Sequence, residues 1–147
     1  MFHLPDPDRQ PQFYAAVPAK RLLAWIVDMM IILILTLLTV LMTAFVGAFI
    51  WPLLILVIGF GYRVVTLANG SATWGMRFAG IEMRKADGDR FDMPTAIAHT
   101  AGYTISISLP FLQVISIVMM LTSARGQGLS DAFLGTVALN RRSITNT

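Results

Sequence analysis

Hydrophobic and polar positions divide this chain into two long charge-free stretches, Met29 to Tyr62 and Met93 to Ala124, separated by one polar loop and flanked by polar tails. An apolar run of about 20 residues crosses a hydrocarbon core of about 30 Å as a single helix. Residues 22–46 are therefore predicted to cross once with some tilt, and residues 51–67 to cross back. The Gly47 to Pro52 segment between them is uncharged and reads as a turn. Trp51 suits an interfacial anchor there, and Pro52 suits the first turn of the returning helix, where its missing N–H costs nothing.

The second stretch is nearly as long as the first, and its centre falls at Leu109-Pro110. A single span over residues 96–122 would tolerate a kink at the proline. It would also carry Arg125, Arg141 and Arg142 away from the basic loop, against the bias that keeps arginine and lysine on one side of a membrane. The pattern favours a Pro-broken hydrophobic hairpin over 94–123, with arms Thr95 to Leu109 and Phe111 to Thr122. Arms this short are more often re-entrant or obliquely packed than fully spanning. They carry His99, Thr100, Tyr103, Ser106, Gln113 and Ser116, groups that need protein or water because lipid cannot satisfy them.

The loop over residues 68–92 contains Arg77, Arg84, Lys85 and Arg90, which places it in the cytoplasm together with both chain ends. Ser71 is expected to cap a short interfacial helix bearing Trp74 and Phe78. Beyond it, Ile81 to Lys85 and Arg90 to Met93 flank Asp87-Gly88 and read as a hairpin, with a third strand at Thr136 to Asn140. Residues 1–19 hold Pro5, Pro7, Pro11 and Pro18 and are predicted to be a disordered cytoplasmic tail. Residues 124–147 form a second cytoplasmic tail. With no long linker or repeat, residues 20–142 read as one membrane domain.

Composition agrees with the pattern. The 147 residues are 56% hydrophobic and only 13% charged, with a mean hydropathy of +0.69. Soluble domains average about 25% charged residues. The expected class is an all-α membrane protein: a small helical bundle with two full spans, a broken hairpin and a small cytoplasmic β element. A net charge of +3 would suggest nucleic acid in a soluble protein. Here the basic residues flank apolar spans, where they set topology and meet anionic lipid headgroups. The expected partners are the bilayer and its anionic headgroups, with a second copy of the chain or another membrane protein beside it, and no nucleic acid. The chain has no cysteine, so disulfides, thiolate catalysis and cysteine metal ligands are excluded.

Arg21 and Asp28 are the positions where chemistry concentrates. Seven residues apart on a helix, they share one face, about 10 Å apart along the axis. Arg21 can extend its guanidinium into the headgroups, but an aspartate two turns deeper is too short to do so. Asp28 therefore needs a protein partner, water or a proton. Arg63, at similar depth on the returning helix, and Arg21 through water are the expected partners. Asp28 then reads first as the ionisable site of a small transporter, moving a cation by proton exchange or a small solute; the alternative is a non-catalytic membrane scaffold or accessory subunit in which Asp28 is permanently paired and sets helix packing. Asp131 follows Gly-Leu-Ser, where an acidic residue caps a short helix; pairing with Arg21 or Arg77 is the alternative. His99 on an apolar arm reads as a hydrogen-bonded packing residue. With only His3 elsewhere, no histidine metal cluster and no cofactor are expected. No nucleophile elbow, phosphate loop or nucleotide-binding glycine pattern is present, so an enzyme is not expected.

An arginine and an aspartate opening the first span, followed after the last arm by Gly128-Leu129-Ser130-Asp131-Ala132-Phe133-Leu134-Gly135-Thr136, resemble the RDD family of bacterial membrane proteins. The family is named for three residues, which map onto Arg21, Asp28 and Asp131. Thr73-Trp74-Gly75-Met76-Arg77 is similar to its Thr-x-Gly-Lys element. The resemblance covers roughly residues 15–142. It departs from the pattern at Met76, where the family has lysine, and at His99, where an arginine is common. It implies a bacterial inner-membrane protein and a transport role, with cation/proton antiport proposed for some members.

Overall fold

The computed structural model describes residues 4–145, leaving His3 and the extreme ends of both predicted tails outside the described residues. Helix α1, Val17–Met42, starts with Pro18 in its first turn and ends before a 3₁₀ segment, Val46–Ile50. It therefore begins and stops earlier than the 22–46 segment read from hydropathy. Helix α2, Trp51–Ala68, returns with Pro52 in its first turn, as expected. Both helices are long and apolar enough to cross a bilayer. Leu22, Ile26, Met30, Leu37 and Leu41 on α1, and Leu53 and Val57 on α2, stay exposed as an apolar belt. Without a bilayer such a belt would have no solvent to suit it.

After α2 the chain folds into a polar cap. Helix α3, Trp74–Ala79, is capped by Thr73, whose hydroxyl accepts from the Met76 N–H at 3.1 Å. Ser71 is therefore not the cap. It adopts a positive φ of 62°, donates its hydroxyl to the Met83 carbonyl and accepts from the Phe91 N–H at 2.9 Å. That bond corrects the hairpin expected after Ile81. Strand β1, Ile81–Arg84, pairs antiparallel with the carboxyl-terminal β2, Val137–Asn140, in the register Ile81 with Asn140 and Met83 with Ala138. Arg90 to Met93 adds no strand, because Phe91 is tied to Ser71 and Asp92 is used as the cap of the next helix, accepting from the Thr95 N–H at 3.0 Å. Hydrogen bonds from Thr95, then from Lys85, pull the exposed Asp92 carboxyl down to about 2.

Helices α4, Met93–Ser108, and α5, Pro110–Thr122, meet at a bend of 117°. Pro110 lacks the N–H that would continue the first helix, and it forces Leu109 into an extended conformation (φ −116°, ψ 101°). The Pro-broken reading of 94–123 thus has its geometric form. Helix α6, Leu129–Leu134, leads into β2, and α7, Arg141–Thr145, follows it.

Two apolar clusters hold the cap together. Ile81, Met83 and Ala138 face Val17, Ala24, Leu67, Met76 and Ala96. The other face of the sheet, Val137 and Leu139, packs on Phe13 and Tyr14. Residues 4–16 are thereby corrected from a disordered tail to a packed segment. Its prolines prevent a long helix, but two aromatic side chains find a buried surface that no local pattern could reveal. Asn140 reinforces this by donating to the Gln12 and Ala15 carbonyls at 2.8 and 2.9 Å while accepting from the Lys20 ammonium at 2.8 Å.

Candidate functional site

The face of α1 that carries Arg21 and Asp28 turns toward the cap, and the two side chains reach different partners. Asp28 is 1% exposed. Its Oδ1 accepts from the Tyr62 hydroxyl at 2.6 Å and the Gly75 N–H at 2.8 Å, and its Oδ2 accepts from the Thr73 hydroxyl at 2.6 Å. Thr73 thus donates to Asp28 while accepting from Met76. All three donors are neutral, and neither Arg63 nor Arg21 makes an ion pair with this carboxylate among the described residues. Gly75 is required by space: a Cβ there would lie 2.1 Å from the Ala24 carbonyl oxygen and 2.6 Å from Asp28 Oδ1. The carboxylate pins the start of α3 against α1, and Trp74 packs edge-on against Tyr62 with ring centroids 5.9 Å apart.

Asp131 is equally buried but is held by charge. Its Oδ2 pairs with the Arg21 guanidinium at 2.5 Å and accepts from the Gly128 N–H at 3.2 Å. Its Oδ1 accepts from the Thr136 hydroxyl at 2.7 Å and meets His99 Nε2 at 2.8 Å. Both sequence readings of Asp131 therefore describe one arrangement, since it closes the first turn of α6 and also pairs with Arg21. Burial alone would push its carboxyl up. The Arg21 charge and the His99 and Thr136 hydrogen bonds outweigh burial and hold it well below the usual carboxylate range.

The remaining predicted positions divide. His99 joins the Asp131 group. Arg77 stays at the edge of the cap, reaching the Asn69 carbonyl at 3.4 Å. Arg63 is buried and lies over the Tyr103 ring, 4.0 Å from its centroid. Tyr103 in turn accepts from Trp25 Nε1 at 2.7 Å, which ties α4 to α1. Tyr62 and the Trp25–Tyr103 bond were not legible in the sequence, because an aromatic in an apolar span carries no mark of what its polar edge will meet. Thr73, Gly75, Gly128 and Thr136 did stand within the motif segments.

Between α1 and the α4–α5 bend lies a cavity of about 630 Å³, lined by Asp28, Arg63, His99 and Asp131 among mainly apolar side chains. Among the described residues no group of three or more histidines and acidic residues is placed to hold a metal ion. The arrangement therefore offers two buried carboxylates, each fully engaged by donors, and one buried guanidinium facing a largely apolar space.

No curated protein and no solved structure matches the chain. Residues 15–135 match the model of the RDD family, a range that contains Arg21, Asp28 and Asp131 as well as the Thr73–Gly75 segment. Two bilayer-length apolar helices and these three charged residues where the polar cap meets α1 accompany a match over most of the chain, and the protein belongs to the RDD family.

Proposed function

We propose that this protein is a non-catalytic scaffold or accessory subunit of the bacterial inner membrane, in which Arg21, Asp28 and Asp131 fasten the polar cap to the membrane helices. The observation that supports this reading most is the saturation of both carboxylates. Asp28 accepts three hydrogen bonds, all from segments distant in sequence, and Asp131 is engaged by four groups, of which Arg21 and His99 are distant and Gly128 and Thr136 local. A residue that must exchange a proton or an ion in every cycle has to shed such partners, and each charge-assisted bond is worth about 1.5–3 kcal/mol. The gathering of Lys20, Arg21, Arg77, Lys85 and Arg125 at the cap end supports a cytoplasmic cap, a multi-pass topology and both termini in the cytoplasm. A second copy or another membrane protein is the partner that such a cap would present itself to.

A second reading, transport of a cation or small solute with proton exchange, is favoured by one observation: Asp28, His99 and Asp131 line a common cavity. Proteoliposomes with an internal pH dye separate the two. The scaffold reading expects no proton movement on adding Na⁺, K⁺ or Li⁺ to wild type, and expects Asp28→Asn to lose thermal stability in detergent. Cation-dependent proton movement by wild type that disappears in a folded, monodisperse Asp28→Asn would replace it with the transport reading.

A further inference from the structure

Arg63 is a charged group that neither the Asp28 nor the Asp131 hydrogen-bond group includes. It is 6% exposed, its Nε has no hydrogen-bond partner, and among the described residues no carboxylate makes an ion pair with its guanidinium. Stacking on Tyr103 offsets part of the cost of burying the charge, as a desolvated cation–π contact does. It supplies no acceptor for the N–H groups of a guanidinium, and a buried cation left without one is costly. The two carboxylates that line the same cavity are already engaged by other donors: Asp28 by Tyr62, Thr73 and Gly75, and Asp131 by Arg21. His99, on the same cavity wall, has a second unpartnered buried atom, Nδ1. With Nε2–H given to Asp131, that nitrogen accepts, and a headgroup hydroxyl would satisfy it.

The rest of the cavity states what kind of anion fits. Leu22, Ile107, Ile117, Met120 and Leu121 contribute to its wall, and Leu22, Ile117 and Leu121 are also exposed on the membrane-facing surfaces of α1 and α5. A free inorganic anion would leave those walls unfilled, whereas an amphiphile covers both. Arg63 stands five residues before the end of α2, about 7.5 Å along the helix from the cap, within reach of the headgroup region for an extended guanidinium. A volume of about 630 Å³ lies within the usual size of ligand sites.

We propose that the cavity between α1 and the α4–α5 bend is a binding site for one anionic membrane lipid, with its phosphate on the Arg63 guanidinium and an acyl chain along the apolar wall. The site goes beyond the scaffold reading, because it stands whether the protein scaffolds or transports. The test uses the full-length protein in an uncharged detergent, with thermal unfolding and native mass spectrometry after adding dioleoyl phosphatidylglycerol, dioleoyl phosphatidylcholine or inorganic phosphate. Phosphatidylglycerol is expected to raise the melting temperature and to be retained one to one, while the other two do neither. Arg63→Gln is expected to weaken retention about tenfold or more, the scale of one charge-assisted hydrogen bond, with partial rescue by Arg63→Lys. Ile117→Trp, which fills the cavity and leaves Arg63 in place, is expected to lose the lipid as well. Equal protection by phosphatidylcholine, or protection by phosphate alone, would overturn the lipid assignment. So would wild-type retention by Arg63→Gln; if that variant does not fold, wild-type retention by Ile117→Trp has the same force.

Discussion

Asp28 and Asp131 are both about 1% exposed, yet they are stabilised in different ways. Asp131 sits in the polar cap against the Arg21 guanidinium, so its energy is that of an ion pair completed by three neutral donors, the His99 imidazole, the Gly128 N–H and the Thr136 hydroxyl. Asp28 lies on α1, two turns beyond Arg21, and is served by two hydroxyls and a backbone N–H. An ion pair tolerates small shifts of its partners because Coulomb attraction falls slowly with distance. A carboxylate held by neutral donors depends on short, directed bonds, which weaken steeply as they bend. The first arrangement joins α1 to the carboxyl-terminal segment of the chain; the second requires a rigid neighbour, which is what Gly75 permits by bringing the start of α3 to the backbone of α1.

This contrast can be broken experimentally. The largest effect is expected from Asp131→Ala, which leaves the partly buried Arg21 without its carboxylate and should cost about 3 kcal/mol, read as loss of stability by denaturant or thermal unfolding in detergent. Arg21→Gln added to that variant should cost little more, since its partner is already gone; an additive loss would show that the pair is not the unit. Gly75→Ala should cost about 1–3 kcal/mol, because the clash is with backbone that only a shift of α3 can relieve. A Gly75→Ala protein as stable as wild type would mean that α3 is not held against α1 as described.

Acidification tests the Asp131 ion pair directly. Asp131 titrates below its unfolded value near pH 4, so its contribution is fully present above about pH 4 and is lost as pH falls from there towards the depressed folded value. The stability difference between wild type and Asp131→Asn should therefore shrink on acidification through this window. A difference that stays constant down to the lowest pH at which wild type folds would sink the ion-pair account. The smallest effect is expected from Trp25→Phe, which removes one neutral hydrogen bond to Tyr103 and should cost about 1 kcal/mol in the same unfolding measurement.

Periodicity and charge by themselves determined the membrane class, the two long helices, the break at Pro110 and the shared face of Arg21 and Asp28. These depend on residues near one another in the chain, where helix geometry and the missing proline N–H act directly. The motif segments also marked Thr73, Gly75 and Asp131 as positions of interest, without saying what they touch. Tertiary structure alone decided the partners. Arg21 meets a carboxylate 110 positions away, and Asp28 selects a tyrosine 34 positions away over the arginine beside it. The sheet follows the same logic, since Ile81 to Arg84 was compatible with the nearby Arg90 to Met93 and instead took Val137 to Asn140. Residues 4–16 took their fold from the far face of that sheet. Hydrogen-bond donors and apolar faces are generic in a sequence, and which donor meets which acceptor is set only when packing brings distant segments together.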